Sequence, residues 1–253
     1  MHTPWTRDEE IIVFSLYCQI PFKNSSKNHP DVVRVAALIG RSPSAVNMKI
    51  GNFGSFDETL QRQGIVGLTN ASKLDKQIWD EFHGQWDILS YESERLIQER
   101  LIQEGMVVDE GERICPIGME KSAMKKERIN QNFFRKAVLN SYDSMCCITG
   151  LAVPQLLIAS HIKPWRDSSP QEKTDPYNGL CLNALHDKAF DVGLITVTTD
   201  HKIRVSSYIK EHYERSIVES LFKVYDGQKI VLPEKFSPNR YYLEYHNDVI
   251  FLQ

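Results

Sequence analysis

The chain has 253 residues, 42% of them hydrophobic, enough for one large domain or two modest ones with a sizeable core. Its formal net charge of −3 excludes a global field that draws it to nucleic acid, so any such surface must be a local patch. The five cysteines (Cys18, Cys115, Cys146, Cys147, Cys181) are odd in number and lack a CxxC pair, which argues against a disulfide framework or a four-cysteine zinc site and suits a reducing, cytoplasmic compartment. No stretch has the length and apolarity of a membrane span, and the first ten residues hold no apolar signal core.

Residues 1–90 read as a helical domain. Thr6 followed by Glu9 is the pattern of a capped helix start, and Ile11, Ile12, Phe14, Leu16 and Tyr17 supply a buried face. After a polar loop at 23–30 come a helical run from Val32 to Ile39, a stop at Gly40, and a second start at Ser42–Pro43. This is a helix-turn-helix pattern. Residues 22–49 carry Lys23, Lys27, Arg34, Arg41 and Lys49 against Asp31, a balance of +4. A recognition helix starting at Ser44 would turn Asn47 and Lys49 toward a major groove, with Arg41 beside it. The Trp5–Glu10 opening bears a faint resemblance to Myb/SANT-like helical modules.

Residues 91–120 read as an acidic, partly helical linker, ending in a loop at 111–118. Over 92–112 seven acids oppose Arg95 and Arg100, a balance of −5. The sign then reverses. Over 121–136 Lys121, Lys125, Lys126, Arg128, Arg135 and Lys136 oppose Glu127, a balance of +5. Lys125, Lys126, Arg128 and Arg135 are therefore candidate contacts to a phosphate backbone. Phe133, Phe134, Ala137, Val138 and Tyr142 mark the buried face of the same helix. The remainder, 121–253, reads as a second domain. It has short strands at Leu156–Ala159 and Gly179–Leu182, a helix at Leu185–Val192, and a strand pair at Leu194–Val197 and Ile203–Val205. An aromatic tail at 241–251 is expected to pack back on the core. The fold class is α+β.

Chemistry concentrates between Leu156 and Asp191. His161 ends one strand, and Asn178 opens the next. Asp187 and Asp191 stand four apart, on one helix face. Two carboxylates on one face suit a hard divalent cation, which takes oxygen ligands and keeps several waters. A nearby histidine can accept a proton from water at neutral pH. Together these meet the needs of phosphodiester hydrolysis: a positioned water, a base and a cation.

The stretches Cys147–Gly150, Ala159–Trp165 (ASHIKPW), Asp175–Leu180 (DPYNGL) and Leu185–Gly193 (LHDKAFDVG) resemble the HNH (ββα-metal) endonuclease family, over about 131–195. The branch they are most similar to is restriction endonucleases with a C-terminal HNH domain, and the 242–251 tail fits it too. The resemblance implies His161 as general base and Asn178 as the residue that pins the loop and orients it. It implies Asp187 as metal ligand, with Asp191 the candidate second ligand one turn on. His186 lies beside them as a further candidate, and Lys163 and Arg166 are candidates to hold phosphate oxygens. The implied cofactor is a divalent ion, magnesium first, with manganese or nickel as alternatives. The implied substrate is DNA, cut to 5′-phosphate and 3′-hydroxyl ends in a restriction or defence setting, and a homodimer would let two nicks make a double-strand break.

Two departures stand out. Ser160 occupies the position before the base, where many members carry a metal-binding Asp or His, so Ser160 is at best a weak ligand. The zinc knuckles are missing apart from Cys147, so no structural zinc is expected and the hydrophobic core must hold the scaffold. These departures keep alive a second reading, a non-catalytic DNA-binding regulator on an HNH scaffold. A third, a ribonuclease or toxin, is disfavoured by the lack of a stacking-aromatic RNA module.

Overall fold

A computed structural model describes residues 3–105, 119–213 and 216–253. The expected loop at 111–118, Cys115 and the acids at 109–112 lie outside the described residues, and so does the Lys121 side chain. The chain divides into two compact units, Met1–Ala137 and Val138–Gln253. The division falls inside a helix, so the basic stretch 121–136 belongs with the first unit.

The first unit is helical: α1 (Arg7–Gln19), α2 (Pro30–Leu38), α3 (Pro43–Gly54), α4 (Glu58–Arg62), α5 (Lys73–Phe82), α6 (Trp86–Gln103) and the greater part of α7 (Met119–Ser141). The capping box at the start of α1 is formed, because Thr6 accepts from the Glu9 amide while the Glu9 carboxylate accepts from the Thr6 amide at 2.8 Å. Gly40 turns the chain between α2 and α3 at φ +66°, a conformation glycine adopts without strain, and Ser42 caps α3. The core gathers on Phe14, whose ring lies 4.8 Å from Phe53 and 5.3 Å from Trp79. α6 runs on past residue 90, where the linker was expected to begin. It packs against α1, with Leu89, Ser93 and Leu96 buried and Ser93 donating to Ser15 at 2.9 Å. The apolar spacing at 89–96 outweighs the acidic composition of the same stretch.

The second unit is built on two antiparallel two-stranded sheets. β1 (Leu157–His161) leads through a loop holding the short helix α8 (Pro170–Thr174) to β2 (Gly179–Asn183) and directly into α9 (Ala184–Asp191). β1 pairs with β2 so that Ser160 faces Leu180 and His161 faces Gly179. β3 (Ile195–Val197) and β4 (Ile203–Val205) form the second sheet. Two short helices follow, α10 (Ser207–His212) and α11 (Ser216–Leu221), and the chain ends in α12 (Arg240–Tyr245) and a π-helical turn, His246–Ile250. The tail does pack back. Tyr242, Leu243 and Phe251 are buried, and the His246 ring stacks on Phe190 of α9 at 3.6 Å. Gly193, at φ +75°, lets this turn approach, since a Cβ there would stand 2.1 Å from the Ile250 carbonyl oxygen.

Candidate active site

β1, the loop to β2, and α9 carry the chemistry-bearing residues. Asn183 caps α9, its side chain accepting from the Leu185 and His186 amides. α9 packs on both strands of the pair. This sets Asp187 and Asp191, one turn apart, beside the end of β1.

The carboxylates sense one another. Burial lifts the Asp187 carboxyl above its usual range, opposed by the Ser160 hydroxyl and the Lys188 charge. Burial also lifts Asp191, and the Asp187 charge lifts it further, while Lys188 and Arg166 oppose. Ser160 is buried, and its Oγ lies near enough to act on the Asp187 carboxylate without reaching full hydrogen-bond geometry. Two carboxylates strained upward and an orphaned hydroxyl oxygen beside them form a donor set of oxygens only, which fits a hard divalent cation. Among the described residues no group of three or more His, Cys, Asp or Glu side chains comes together as a metal site, so such an ion would complete its shell with water and substrate oxygens.

His161 follows Ser160 directly, about 3.8 Å along the backbone from Cα to Cα. Its Nε2 lies 3.0 Å from the Lys173 carbonyl oxygen. A carbonyl only accepts, so Nε2 carries the proton and Nδ1 bears the lone pair. Trp165 and the imidazole meet edge to face at 5.4 Å, and the Lys173 ammonium lies 4.7 Å from the centre of the Trp165 ring. Burial disfavours the imidazolium and lowers the His161 pKa to about 4, so at neutral pH the ring is a proton acceptor.

Asn178 is fully buried and ties the loop together. Its Oδ1 accepts from the Lys163 amide at 2.8 Å, and its Nδ2 donates to the Glu172 carbonyl at 3.1 Å and the Lys163 carbonyl at 3.3 Å. Its own carbonyl accepts from the Ile162 amide at 2.9 Å. Glu172, the residue before His161's hydrogen-bond partner, is thereby tied through Asn178 to the chain just after His161.

Several other candidates stand elsewhere. His186 is buried with both ring nitrogens engaged: Nδ1 accepts from Asn183 at 2.8 Å and Nε2 donates to the Leu221 carbonyl at 2.8 Å. It is a packing residue facing Cys146. Burial would raise that thiol, but the adjacent His186 ring, with Thr149 and local amides, brings it down to about 6. Lys163 does not face a substrate. Its ammonium is buried, with both Glu172 oxygens at 2.8 Å. Arg166, by contrast, projects into solvent with 78% of its side chain exposed.

The recognition-helix candidates divide in the same way. Lys49 is buried between Glu10, at 2.7 Å, and Asp75, so it holds α1, α3 and α5 together and cannot reach a groove. Arg41 donates to Glu9 at 2.8 Å and to the Thr3 and Pro4 carbonyls at 2.7 Å each. Asn47 is half-buried, its Oδ1 without a hydrogen-bond partner. On α7, Lys126 reaches Asp87 at 3.4 Å, Lys125 is half-buried, and Arg128 and Arg135 are exposed. A positive balance in a sequence window counts charges without asking which are already paired inside the fold.

Sequence reasoning missed Glu172, Tyr241 and the Lys173 carbonyl. A backbone carbonyl leaves no trace in a sequence. Glu172 had one, since Ser169-Pro-Gln-Glu172 is a capping-box pattern and that box is formed at α8.

The family comparison covers this same region. Residues 146–198 match the model of an HNH endonuclease family. No curated protein matches the chain.

Proposed function

We propose that the chain, whose C-terminal unit carries an HNH endonuclease domain at 146–198, is a metal-dependent endonuclease that hydrolyses DNA phosphodiester bonds. The observation that supports this reading is His161, held in the Nε2–H tautomer by the Lys173 carbonyl and next in the chain to Ser160, whose hydroxyl acts on Asp187. Its Nδ1 takes a proton from a water that attacks phosphorus. The P–O3′ bond breaks, leaving a 5′-phosphate and a 3′-hydroxyl. Asp187 and Asp191, with Ser160 beside them, would hold a divalent ion, magnesium first, and when bound it supplies positive charge against the charge that builds on the phosphate oxygens. The exposure of Arg166 and its reach to Asp191 support a role for it in meeting a phosphate oxygen.

The setting we propose is restriction or defence, with the helical unit selecting the target and two copies cooperating in a double-strand break. The helix-turn-helix pattern of α2 and α3 supports target selection; the internal pairing of Arg41 and Lys49 means that other residues would make the contacts.

The test is plasmid cleavage by the full chain with magnesium or manganese. Wild type is expected to nick supercoiled DNA and His161→Ala is not. Equal cutting by His161→Ala would remove the base assignment, and a wild type inert on modified and unmodified DNA alike would favour the regulator.

A further inference from the structure

The C-terminal helix α12 lies outside the stretch that matches the HNH family, yet its tyrosines reach into the loop between β1 and β2. Lys163 Nζ sits 5.4 Å from the Tyr241 ring centre and 5.3 Å from that of Tyr245, with the Tyr241 hydroxyl at 3.4 Å. Tyr242 donates to Asp175 Oδ2 at 2.8 Å, and Asp175 in turn accepts from the Tyr177 amide. α12 therefore grips the loop at both ends, just after His161 and just before Asn178.

The grip continues to the base itself. Under the tyrosines the Lys163 ammonium holds both oxygens of Glu172. Burial alone would raise the Glu172 carboxyl, and the Lys163 ammonium with the Ser169 amide outweighs it and holds it below its usual range. Glu172 is in α8, and the next residue is Lys173, whose carbonyl takes the His161 Nε2 proton. Glu172's own carbonyl is tied to Asn178. The ion pair and the asparagine thus both fix Glu172, the residue directly before the carbonyl that sets His161's tautomer.

We infer that Lys163, Glu172 and Tyr241 are positioning residues for the general base. α12 clamps Lys163 onto Glu172, and that pair holds the Lys173 carbonyl where it keeps the His161 proton on Nε2. The inference rests on the nuclease reading for its purpose, but its geometry is testable without cleavage.

The experiment uses the full chain labelled with 15N at histidine. Long-range 1H–15N spectra separate the two ring nitrogens, and His161 among the eight histidines is assigned by its loss in His161→Gln. Wild type is expected to show a single Nε2–H tautomer at neutral pH. Lys163→Met and Glu172→Gln are expected to draw the two His161 nitrogen shifts toward each other, as the tautomers mix. Lys163→Arg, which keeps the pair, is expected to hold the wild-type pattern. His186 and His246 signals serve as folding controls, since each is hydrogen-bonded elsewhere in the unit. Should Lys163→Met fail to fold, Tyr241→Leu reads the same clamp at a side chain that is 54% exposed.

In cleavage, the positioning role predicts a fall in kcat of roughly tenfold or more for Lys163→Met with KM within about twofold. A direct phosphate contact predicts instead a raised KM and a shallower salt dependence. Unchanged His161 spectra in a folded Lys163→Met, or an effect confined to KM, overturns the inference. A wild type that cuts nothing refutes the nuclease reading alone, and the spectra still decide the clamp.

Discussion

Replacing Asn178 by alanine removes three side-chain hydrogen bonds from a fully buried position. Their loss is unequal. The Lys163 carbonyl also accepts from the Ser168 hydroxyl at 3.0 Å and so keeps a partner. The Lys163 amide and the Glu172 carbonyl are left without the bonds shown. A buried donor or acceptor stripped of its partner costs about 1–3 kcal/mol, so two of them cost about 2–6 kcal/mol. With a denaturant slope of about 2 kcal/mol per molar urea, the midpoint of the C-terminal unit should fall by about 1–3 M. Urea-dependent hydrogen exchange at the β2 amides reads this unit by itself. DNA cleavage should be lost in parallel, because Asn178 and the Lys163–Glu172 pair hold the same segment. Asn178→Asp gives a second reading. It keeps the acceptor for the Lys163 amide, but at neutral pH it points a charged oxygen at two carbonyls, so it should destabilise at least as much and recover in acid, where a protonated carboxyl can donate. A loss below about 1 kcal/mol in Asn178→Ala, with normal protection in β2, would refute the view that this side chain holds the loop.

Three further outcomes follow from the buried charges and the tight approach at Gly193. Lys49→Met leaves Glu10 and Asp75 buried without their cation and should cost about 3–5 kcal/mol of N-terminal stability, measured by chemical denaturation. Reduced DNA affinity with unchanged stability would instead restore Lys49 to the surface. Glu10→Gln tests the sign of the linkage. Burial raises the Glu10 carboxyl from 4.5 to about 7, with the Lys49 ammonium opposing and Asp75 adding. The folded state thus binds that proton more tightly, and the stability it brings is present below pH 4.5 and lost as pH rises through about 7, about 2–3 kcal/mol at most. Glu10→Gln should flatten that decline in thermal melts across this window. His83, whose pKa is lowered by the desolvation of packed neighbours, slopes the other way in both proteins and cancels in the difference. Gly193→Ala drives a Cβ into the Ile250 carbonyl at a positive φ and should lower C-terminal stability by more than about 2 kcal/mol, seen as a lower Tm. An unchanged Tm would show that the closing turn does not depend on that approach.

Much of the local structure was legible in the chain because it is governed by near neighbours. Thr6 with Glu9, Gly40 with Ser42–Pro43, and the alternation into Leu185–Val192 are short-range signals, and each element formed within a few residues of where they put it. The order His161, Asn178, Asp187, Asp191 was legible for the same reason: two strands and a helix joined closely need those residues at those spacings. The partners of long side chains were not legible. Lys163, Lys49 and Arg41 look alike in sequence, as cations with no evident partner nearby in the chain. Each is claimed by a carboxylate 9, 26 to 39, or 32 residues away.

His161 shows the boundary between the two kinds of information most plainly. The sequence by itself determined that a histidine ends a strand and that two carboxylates stand one turn apart on the helix that follows, since periodicity and spacing are properties of the chain. Only the tertiary structure decided which ring nitrogen carries the proton, because that choice belongs to the Lys173 carbonyl that folding brings to the ring. It also separated Arg166, left in solvent, from Lys163, folded inward three residues before it. The physical reason is common to both. A buried charge or proton must find a partner of matching chemistry, and folding chooses that partner by position in space, where the chain order imposes no constraint.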